Sequence, residues 1–321
     1  MIDAQAVLTH LDELRSLTAD ENGAQRLAWS PTWQKARAWF EAKLNELPVE
    51  HHHDAAGNHW VTLPGESERA VVLGSHLDSI PNGGWLDGCL GVLTGLEVIK
   101  ALAKRHNGRP PCTIRLVDWA DEEGARFGRS LFGSSAFAGT HTIEADRMRM
   151  DSHGITLASA LKECGLDIDR IGEAAIEQKN MAAYLELRIE QGLQLELAGA
   201  PLGVVDGSKG AEGAEPIAFH PRLTAFCDEA VRELTGNDEH LSSGPLCDAA
   251  EVARLGVPTA MIFVQAPHGS SQSPLQGADR LHVLQAAEAF GRAAESTMHW
   301  VAGEEVDLWA VEDRTPHTNL S

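Results

Sequence analysis

Short apolar segments alternate with longer amphipathic ones along most of this 321-residue chain, and this alternation constrains the fold more than any other feature. AVVL ends at Leu73, LVDW ends at Trp119, YLELRI begins at Tyr184 and PTAMIFV begins at Pro258. Between such segments apolar residues recur at helical spacing, as in LGVLTGLEVIKALAKRH from Leu90 onward. Strands that alternate with helices are typical of an α/β sandwich. We therefore predict a three-layer sandwich around a mostly parallel, mixed sheet.

The segment before the first long strand carries a helix start and a polar turn. SPTWQKARAWFEAKL has Ser30 as its predicted N-cap and Pro31 at the first helical position, where proline is favoured. HHHDAAGN then precedes the strand-like HWVTL. The adjacent histidines His51–His53 resemble a metal-binding tract, but three neighbouring side chains cannot easily face one ion. We therefore predict a solvated loop here.

Composition disfavours several classes of partner. The chain has 26 Lys and Arg against 47 Asp and Glu, a formal net charge of -21, which repels phosphate backbones. It has no apolar stretch long enough to cross a bilayer, and the amphipathic MIDAQAVLTHLDELRSL is not a signal peptide. Five scattered cysteines without a CxxC pair favour a reducing compartment. We expect a cytoplasmic protein that acts on a small molecule, with neither nucleic acid nor membrane as a partner.

Histidine and carboxylate side chains directly follow two of the predicted strands. GSHLDSIPNGGWLDG, from Gly74 to Gly88, sets a histidine and two aspartates after the first strand, and WADEEG sets three acids after the second. These residues are His76, Asp78 and Asp87, then Asp121, Glu122 and Glu123. Neutral imidazole and carboxylates bind metal ions, and an adjacent carboxylate can take a proton from water. Helix caps and hydrogen-bonded turns contain the same residue types, so both interpretations stay open for either group alone.

Together, GSHLDSIPNGGWLDG, DEEGARFGRSLFGSSAFAG and LELRIEQG resemble the M20 metallopeptidase-like amidohydrolases, nearest the branch of N-carbamoyl-L-amino-acid hydrolases, ureidopropionases and allantoate amidohydrolases. RLAWSP, DAAGN, GITLASAL and PTAMIFV extend the resemblance over most of the chain. It implies the M20 catalytic-type fold and action on a C–N bond of a ureido, N-carbamoyl or N-acyl amino-acid-like molecule. The alternatives are a metal-free repurposed enzyme, or a non-catalytic descendant that binds a small molecule or a partner.

The resemblance also implies roles for individual residues. They are the metal ligands His76, Asp87 and Glu123, the general base Glu122, the catalytic residue Asp78 that orients His76, and the substrate contact Gln191. In the family, the aspartate at position 87 bridges two metal ions.

Three positions depart from the family pattern, each where the family has a histidine. They are Arg188 in ELRIEQG, Gln272 in SSQSP and Cys247 in SGPLCDA. Each ion of the usual pair has thus lost one ligand, which leaves at most one divalent metal ion, zinc or manganese, or none. A permanently charged guanidinium fits carboxylates, so Arg188 pairs with Asp87 or Glu123, or else points to solvent. We predict that Arg188 and Gln272 contact the substrate and that Cys247 is a small apolar filler.

The interval between the strand LGVV and SGPLCDA is short compared with the family. There the family inserts a lid domain, whereas this chain has only the connector GSKGAEGAEP, Gly207–Pro216, and one helix. A domain of typical size does not fit in that interval. We predict a single M20-like catalytic domain over residues 1–321, in which the connector replaces the lid.

Overall fold

The computed structural model describes residues 2–209, 215–244, 247–266 and 279–303, and its main element is one mixed β-sheet. The strands of this sheet are β3 (Glu50–His53), β4 (His59–Leu63), β5 (Ala70–His76), β6 (Thr113–Trp119), β7 (Met181–Ile189), β8 (Leu202–Ser208), β9 (Ile217–Ala218), β10 (His240–Ser243) and β11 (Thr259–Val264). A separate small hairpin joins β1 (Ala19–Asp20) to β2 (Gly23–Ala24).

The centre of the sheet is parallel and its edges are largely antiparallel. Among the described residues the strand order is β10-β8-β11-β7-β5-β6-β4-β3, with β9 beside β8. β5 pairs in parallel with both β6 and β7, and β7 pairs in parallel with β11. β4 lies antiparallel to β6, and β8 lies antiparallel to β11. The predicted mixed sheet is confirmed. Because β5, β6 and β7 are parallel, their carboxyl ends lie on the same side of the sheet.

Helices cover both faces of the sheet. They are α1 (Ala4–Thr18), α2 (Pro31–Leu44), α3 (Cys89–Arg105), α4 (Phe132–Ala138), α5 (Ile143–Arg147), α6 (Leu157–Glu163), α7 (Gln194–Ala198), α8 (Pro221–Thr235), α9 (Asp248–Arg254) and α10 (Arg280–Ala302), with a 3₁₀ segment at Ile171–Gln178. Along β5 successive side chains belong to different apolar clusters: Val71 and Leu73 pack with α1, α3, α8 and α10, whereas Ala70 and Val72 pack with Trp119 and α9. The predicted three-layer sandwich is therefore confirmed.

The helix termini follow local sequence signals. The Ser30 hydroxyl accepts a hydrogen bond from the backbone N–H of Trp33 at 3.2 Å, and Pro31 is the first residue of α2, as predicted. The final helix, α10, begins after Asp279, whose side chain accepts from the N–H of Leu281 at 2.8 Å. Within the described ranges, no helix combines the length and apolar character that a bilayer span requires.

The histidine tract is a strand, so the prediction of a loop is wrong. Residues His51–His53 belong to β3, which pairs antiparallel with β4 and forms an edge of the sheet. Their side chains are exposed, as expected of a polar segment, but the main chain is ordered by the β3–β4 ladder. A polar edge strand lacks the apolar alternation by which strands are recognised in sequence.

The interval that the family fills with a lid is partly described. β9 pairs antiparallel with the end of β8, α8 packs against α10 and β8, and β10 extends the same sheet beside β8. Residues 210–214 of the predicted connector lie outside the described residues. The organisation as a single domain without a lid stays a prediction.

Candidate functional site

Most of the residues singled out in the sequence meet where β5, β6 and β7 end. His76 is the last residue of β5, Glu122 and Glu123 lie in the turn after β6, and Arg188 is the penultimate residue of β7. Parallel strands bring such residues together at the carboxyl ends of the strands, which is where α/β folds build their sites. We call this group, with Asp78 and Asp87, the strand-end site.

Asp78 connects the end of β5 to the turn after β6 through hydrogen bonds. One of its carboxylate oxygens accepts from the backbone N–H of Glu122 and the other from that of Glu123, each at 3.2 Å. The Nδ1 atom of His76 lies 3.2 Å from the Asp78 carbonyl oxygen and 3.5 Å from its carboxylate. Asp78 therefore fixes both the turn after β6 and the orientation of the imidazole, which is the orienting position that the resemblance implies.

Gly88 makes room for this imidazole. Its φ angle is +68°, and a side chain there would collide with the His76 carbonyl oxygen and ring. Only glycine adopts such a φ without strain. The glycine before α3 therefore allows the loop carrying Asp87 to close tightly over the end of β5.

Arg188 points into the site and binds two carboxylates. Its Nη1 atom donates to Glu122 Oε1, and its Nη2 atom lies 3.4 Å from Asp87 Oδ1 and 3.3 Å from His76 Nε2. The side chain is 5% exposed. Of the two partners predicted from the sequence, Asp87 is found, but Glu122 takes the place of Glu123.

The reason for this difference lies in the turn after β6. Asp121 there has a φ of +56°, and the turn directs Glu122 so that its other oxygen, Oε2, lies 3.6 Å from His76 Nε2. Glu122 therefore lies between Arg188 and His76. Burial lowers the pKa of Arg188, but Glu122, Asp87 and Glu186 raise it more strongly, so its pKa lies well above the usual value. The site contains a permanent cation.

Glu123 lies in an environment that disfavours its charged form. Burial raises its pKa to about 8, and the negative charges of Glu122 and Asp87 act in the same direction. In the described part of the chain no ion pair joins it to Arg188. The two adjacent glutamates thus differ: Glu122 has a guanidinium partner, whereas Glu123 holds a proton near neutral pH. Environments that divide neighbouring carboxyl groups in this way are typical of acid–base sites.

A second acidic layer lies behind Arg188 and was missed in the sequence. Glu186 accepts from the Tyr184 hydroxyl and from the N–H of Ala249, both at 3.1 Å, and its Oε1 atom lies 3.9 Å from Arg188 Nε. Burial raises the pKa of Glu186 to about 7, against the influence of Arg188. Asp248 is fully buried, and burial with the charges of Glu122 and Glu186 raises its pKa well above the usual value. The alternation Tyr184, Glu186, Arg188 within a buried strand is the signal that could have revealed this layer.

The remaining predicted residues occupy different positions. Gln191 is exposed, and its amide donates to Asp87 Oδ2 at 3.3 Å, so it lies at the rim of the site. Gln272 lies outside the described residues. Cys247 is 2% exposed, packs in the apolar cluster of Trp119 and Tyr184, and burial raises its thiol pKa to about 12. That environment suits the predicted apolar filler rather than a nucleophile.

Among the described residues, the strand-end site offers one group of side chains that could hold a metal ion. His76, Glu122 and Glu123 each offer a ligand atom, all within 4.8 Å of one another, and imidazole with carboxylates suits zinc or manganese. Asp87 does not belong to this group of three, and its two oxygens accept from Arg188 and Gln191. The ligand set His76, Asp87 and Glu123 stays a prediction. The guanidinium already contacts the carboxylate that would bridge a second ion.

A bound ion also meets competition from a proton. Burial lowers the pKa of His76, but Glu122 and Asp78 raise it more, to well above the usual value. A metal ligand needs the neutral imidazole, so binding would have to displace this proton.

Comparison with known proteins agrees with the architecture described above. The sequence model of Peptidase family M20/M25/M40 matches residues 72–296. An N-carbamoyl-L-amino acid amidohydrolase from Geobacillus stearothermophilus is 40% identical over 213 residues, which are 65% of this chain and 52% of that protein. An allantoate amidohydrolase from Escherichia coli K12 is 34% identical over 209 residues, 64% of this chain and 50% of that protein. The chain spans about half the length of these relatives.

Solved structures share the fold. The crystal structure of an amidase of the hydantoinase/carbamoylase family from Burkholderia multivorans matches with a TM-score of 0.81, covering 95% of this chain and 99% of that chain at 22% identity. A second amidase of that family, from Burkholderia phymatum, matches with a TM-score of 0.79 at 22% identity, covering 94% of this chain and 99% of that chain. At this level of identity the likeness establishes the architecture alone.

Proposed function

The chain belongs to peptidase family M20/M25/M40, and from that premise we propose that it hydrolyses a C–N bond other than a peptide bond. The substrate class is a ureido, N-carbamoyl or N-acyl amino-acid-like small molecule. The names of the relatives support this class, since they include an N-carbamoyl-L-amino acid amidohydrolase and an allantoate amidohydrolase. The single observation that carries the proposal is the adjacent pair Glu122 and Glu123, held by Asp78 through both backbone N–H groups beside a buried His76.

Glu122 is the general base of the proposed reaction. Its Oε1 atom is bound by Arg188, which leaves Oε2 to take a proton from the attacking water. Arg188 is too deeply engaged with Glu122 and Asp87 for the substrate contact predicted from the sequence, so its proposed role is to balance the carboxylate charges. Gln191, exposed beside Asp87, keeps its proposed role as a substrate contact.

One divalent ion is the most that the proposed site holds. His76 and Glu123 would bind it, with Asp87 as the third ligand that the resemblance implies, and when bound it would polarise the carbonyl oxygen of the substrate. Because Arg188 also contacts Asp87, the guanidinium and the ion compete for that carboxylate. The organisation without a lid domain is part of the same proposal.

The test is a substrate screen with a matched pair of variants. N-carbamoyl amino acids, allantoate-like and ureidoglycolate-like compounds and N-acyl amino acids are assayed with and without manganese or zinc. Glu122→Gln keeps the size of the side chain but cannot exchange a proton, so turnover should fall by roughly 10²–10⁴-fold. Glu173→Gln, an exposed glutamate of the 3₁₀ segment, is the control and should retain activity. Undiminished turnover by Glu122→Gln would exclude this base.

A second candidate function is non-catalytic binding of the same class of molecule. The observation that favours it is the contact of Arg188 with Glu122, which engages the proposed base. Calorimetric titration with the compounds of the screen separates the two functions. Tight binding without turnover in any metal condition supports the binding protein, whereas turnover that depends on Glu122 supports the enzyme.

A further inference from the structure

A second group of side chains that could hold a metal ion lies beside the edge strand β3 and shares no residue with the strand-end site. Glu41 lies on α2, His53 is the last residue of β3 and His59 is the first residue of β4. Each offers one ligand atom, and the three atoms lie within 4.8 Å of one another. We call these three residues the edge cluster.

The fold holds the edge cluster in place. His53 and His59 are partners in the β3–β4 register, and their rings stack with centroids 4.4 Å apart and an interplanar angle of 26°. The loop between them is fixed by Asp54, whose Oδ1 atom accepts from the N–H groups of Ala56 and Asn58 at 2.9 and 3.0 Å. Glu41 Oε1 lies 3.6 Å from His53 Nε2. Three separate elements therefore direct their side chains to one point.

His59 supplies the independent observation. It is fully buried, and its Nδ1 atom has no hydrogen-bond partner among the described residues. Its other nitrogen, Nε2, lies 3.2 Å from His51 Nδ1. A proton on Nε2 that is donated to His51 leaves the lone pair of Nδ1 available, which is how histidine ligands are commonly oriented. A buried polar atom without a partner is rare in folded proteins, and a ligand at Nδ1 would explain it.

The charges around the edge cluster permit a cation. Arg37 is the positive residue of α2 that faces this region, and its guanidinium binds Asp118 through Nε at 2.7 Å and stacks on Trp33 at 3.9 Å. A buried carboxylate thus offsets part of its charge. Burial and the remainder of that charge lower the pKa of His53 and His59 and so keep these rings neutral, as metal ligands must be. Glu41 and His53 also line a cleft of about 540 Å³, so water has access to complete the coordination.

From this geometry we infer that Glu41, His53 and His59 bind a divalent transition-metal ion, zinc being the best match. Two imidazoles and a carboxylate with an open position are a donor set that zinc accepts, whereas calcium and magnesium prefer all-oxygen sites. The ion would connect α2 to the edge strand β3 and to β4. The inference does not depend on the proposed function, because it concerns different residues and needs no turnover.

The test is zinc titration of chelator-treated protein by calorimetry, repeated with cobalt and followed by visible absorption. Glu41→Gln and His53→Asn each remove one ligand from a side chain that is at least partly exposed, so folding should persist. Each should weaken one zinc site by at least about tenfold, since even supporting residues of metal sites contribute that much. Any ion at the strand-end site contributes equally to all of these proteins and cancels in the comparison.

His52→Asn is the matched control. His52 belongs to the same tract, but its Nε2 atom pairs with Glu177 at 2.9 Å, away from the edge cluster. If the tract alone bound zinc, as a string of histidines does, His52→Asn would weaken binding as much as His53→Asn, and Glu41→Gln would have no effect. That pattern would overturn the inference, as would unchanged binding by His53→Asn. Loss in Glu41→Gln and His53→Asn, with retention in His52→Asn, establishes the site.

Discussion

The strand-end site and the edge cluster contain the same kinds of metal ligand but differ in where their arginine lies. In the first, Arg188 contacts Glu122 and Asp87 and reaches within 3.3 Å of His76, so a protein cation is already among the candidate ligands. In the second, Arg37 contacts none of the three candidate ligands in the described structure and pairs with Asp118 instead. Ligand type and spacing are similar in both places. The position of a guanidinium therefore decides which of them is expected to hold an ion.

The two regions also differ in how strongly the stability of the fold should depend on their side chains. The strand-end site buries several acids around one cation, and buried charges depend on their partners. The edge cluster is built at the end of a β-ladder with one side open to water, so its exposed or half-buried residues Glu41 and His53 should tolerate replacement. Substitutions should thus be severe in the first region and mild in the second.

Replacing Arg188 by Met should have the largest effect. It leaves Glu122, Asp87 and Glu186 without their cation, and breaking a buried pair from one side typically costs about 3–5 kcal/mol. We expect this decrease in the free energy of unfolding, measured by urea denaturation. The control is Arg170→Met, which removes an ion pair with Glu173 whose two side chains are exposed, and should change stability little. Equal effects of the two variants would mean that Arg188 does not balance the site.

The replacement Asp78→Asn should have the next largest effect. One of the two carboxylate oxygens that accept from the N–H groups of Glu122 and Glu123 becomes a donor, which costs about 1–3 kcal/mol for the group left unpaired. Misplaced glutamates should also reduce turnover by about 10–100-fold, the range for residues that orient a site.

Asp54→Asn is the matched control for that replacement, because Asp54 is another buried carboxylate that accepts two backbone N–H groups. It should lose stability without losing turnover. If Asp54→Asn reduced turnover as much as Asp78→Asn, the loss would reflect general destabilisation, and the positioning role of Asp78 would be rejected.

The sequence was sufficient to predict the layers and the strands that carry the site. The segments ending in His76 and Trp119 and the segments YLELRI and PTAMIFV are strands of one mixed sheet, because apolar runs between helical patterns have few other ways to be buried. The edge strand β3 was not predictable in this way. EHHH carries no apolar residue, and only its pairing with β4 makes it a strand.

The sequence predicted which residues form the site better than it predicted which of these residues pair with one another. The strand order brings His76, Glu122 and Arg188 together, whereas strand alternation left open whether Arg188 points inward or to solvent. The partner of Arg188 depends on a turn with a positive φ at Asp121 and on the hydrogen bond that the N–H of Glu122 donates to Asp78, 44 residues away in the sequence. Long-range contacts of this kind leave no local pattern in the sequence.

Arg188→His should make the strand-end site bind zinc more tightly, as we infer for the edge cluster. Removing the guanidinium ends its contacts with Asp87 and Glu122 and adds an imidazole beside His76 and Asp87. In a His53→Asn background, which removes the edge cluster, zinc affinity should rise by at least about tenfold over the parent, or about 1.4 kcal/mol. Arg188→Lys keeps the charge and should show no such gain. Equal zinc binding by the His and Lys variants would show that the cation is not what limits the site.

Zinc bound at the edge cluster should have the smallest effect, a local stabilisation of β3. A ligand present at ten times its dissociation constant stabilises the form that binds it by about 1.4 kcal/mol. Opening of β3 away from β4 separates His53 from His59 and so releases the ion. Amide hydrogen exchange in Glu50–His53 should therefore slow by about tenfold on adding zinc at that concentration.

The matched comparison is β10, His240–Ser243, since it lies at the opposite end of the sheet and its His240 already pairs with Asp206 at 2.7 Å. Exchange in β10 should not change, and Glu41→Gln should abolish the effect in β3. Slowing of both strands alike would indicate general binding of zinc to surface histidines, and it would remove the contrast between the two regions.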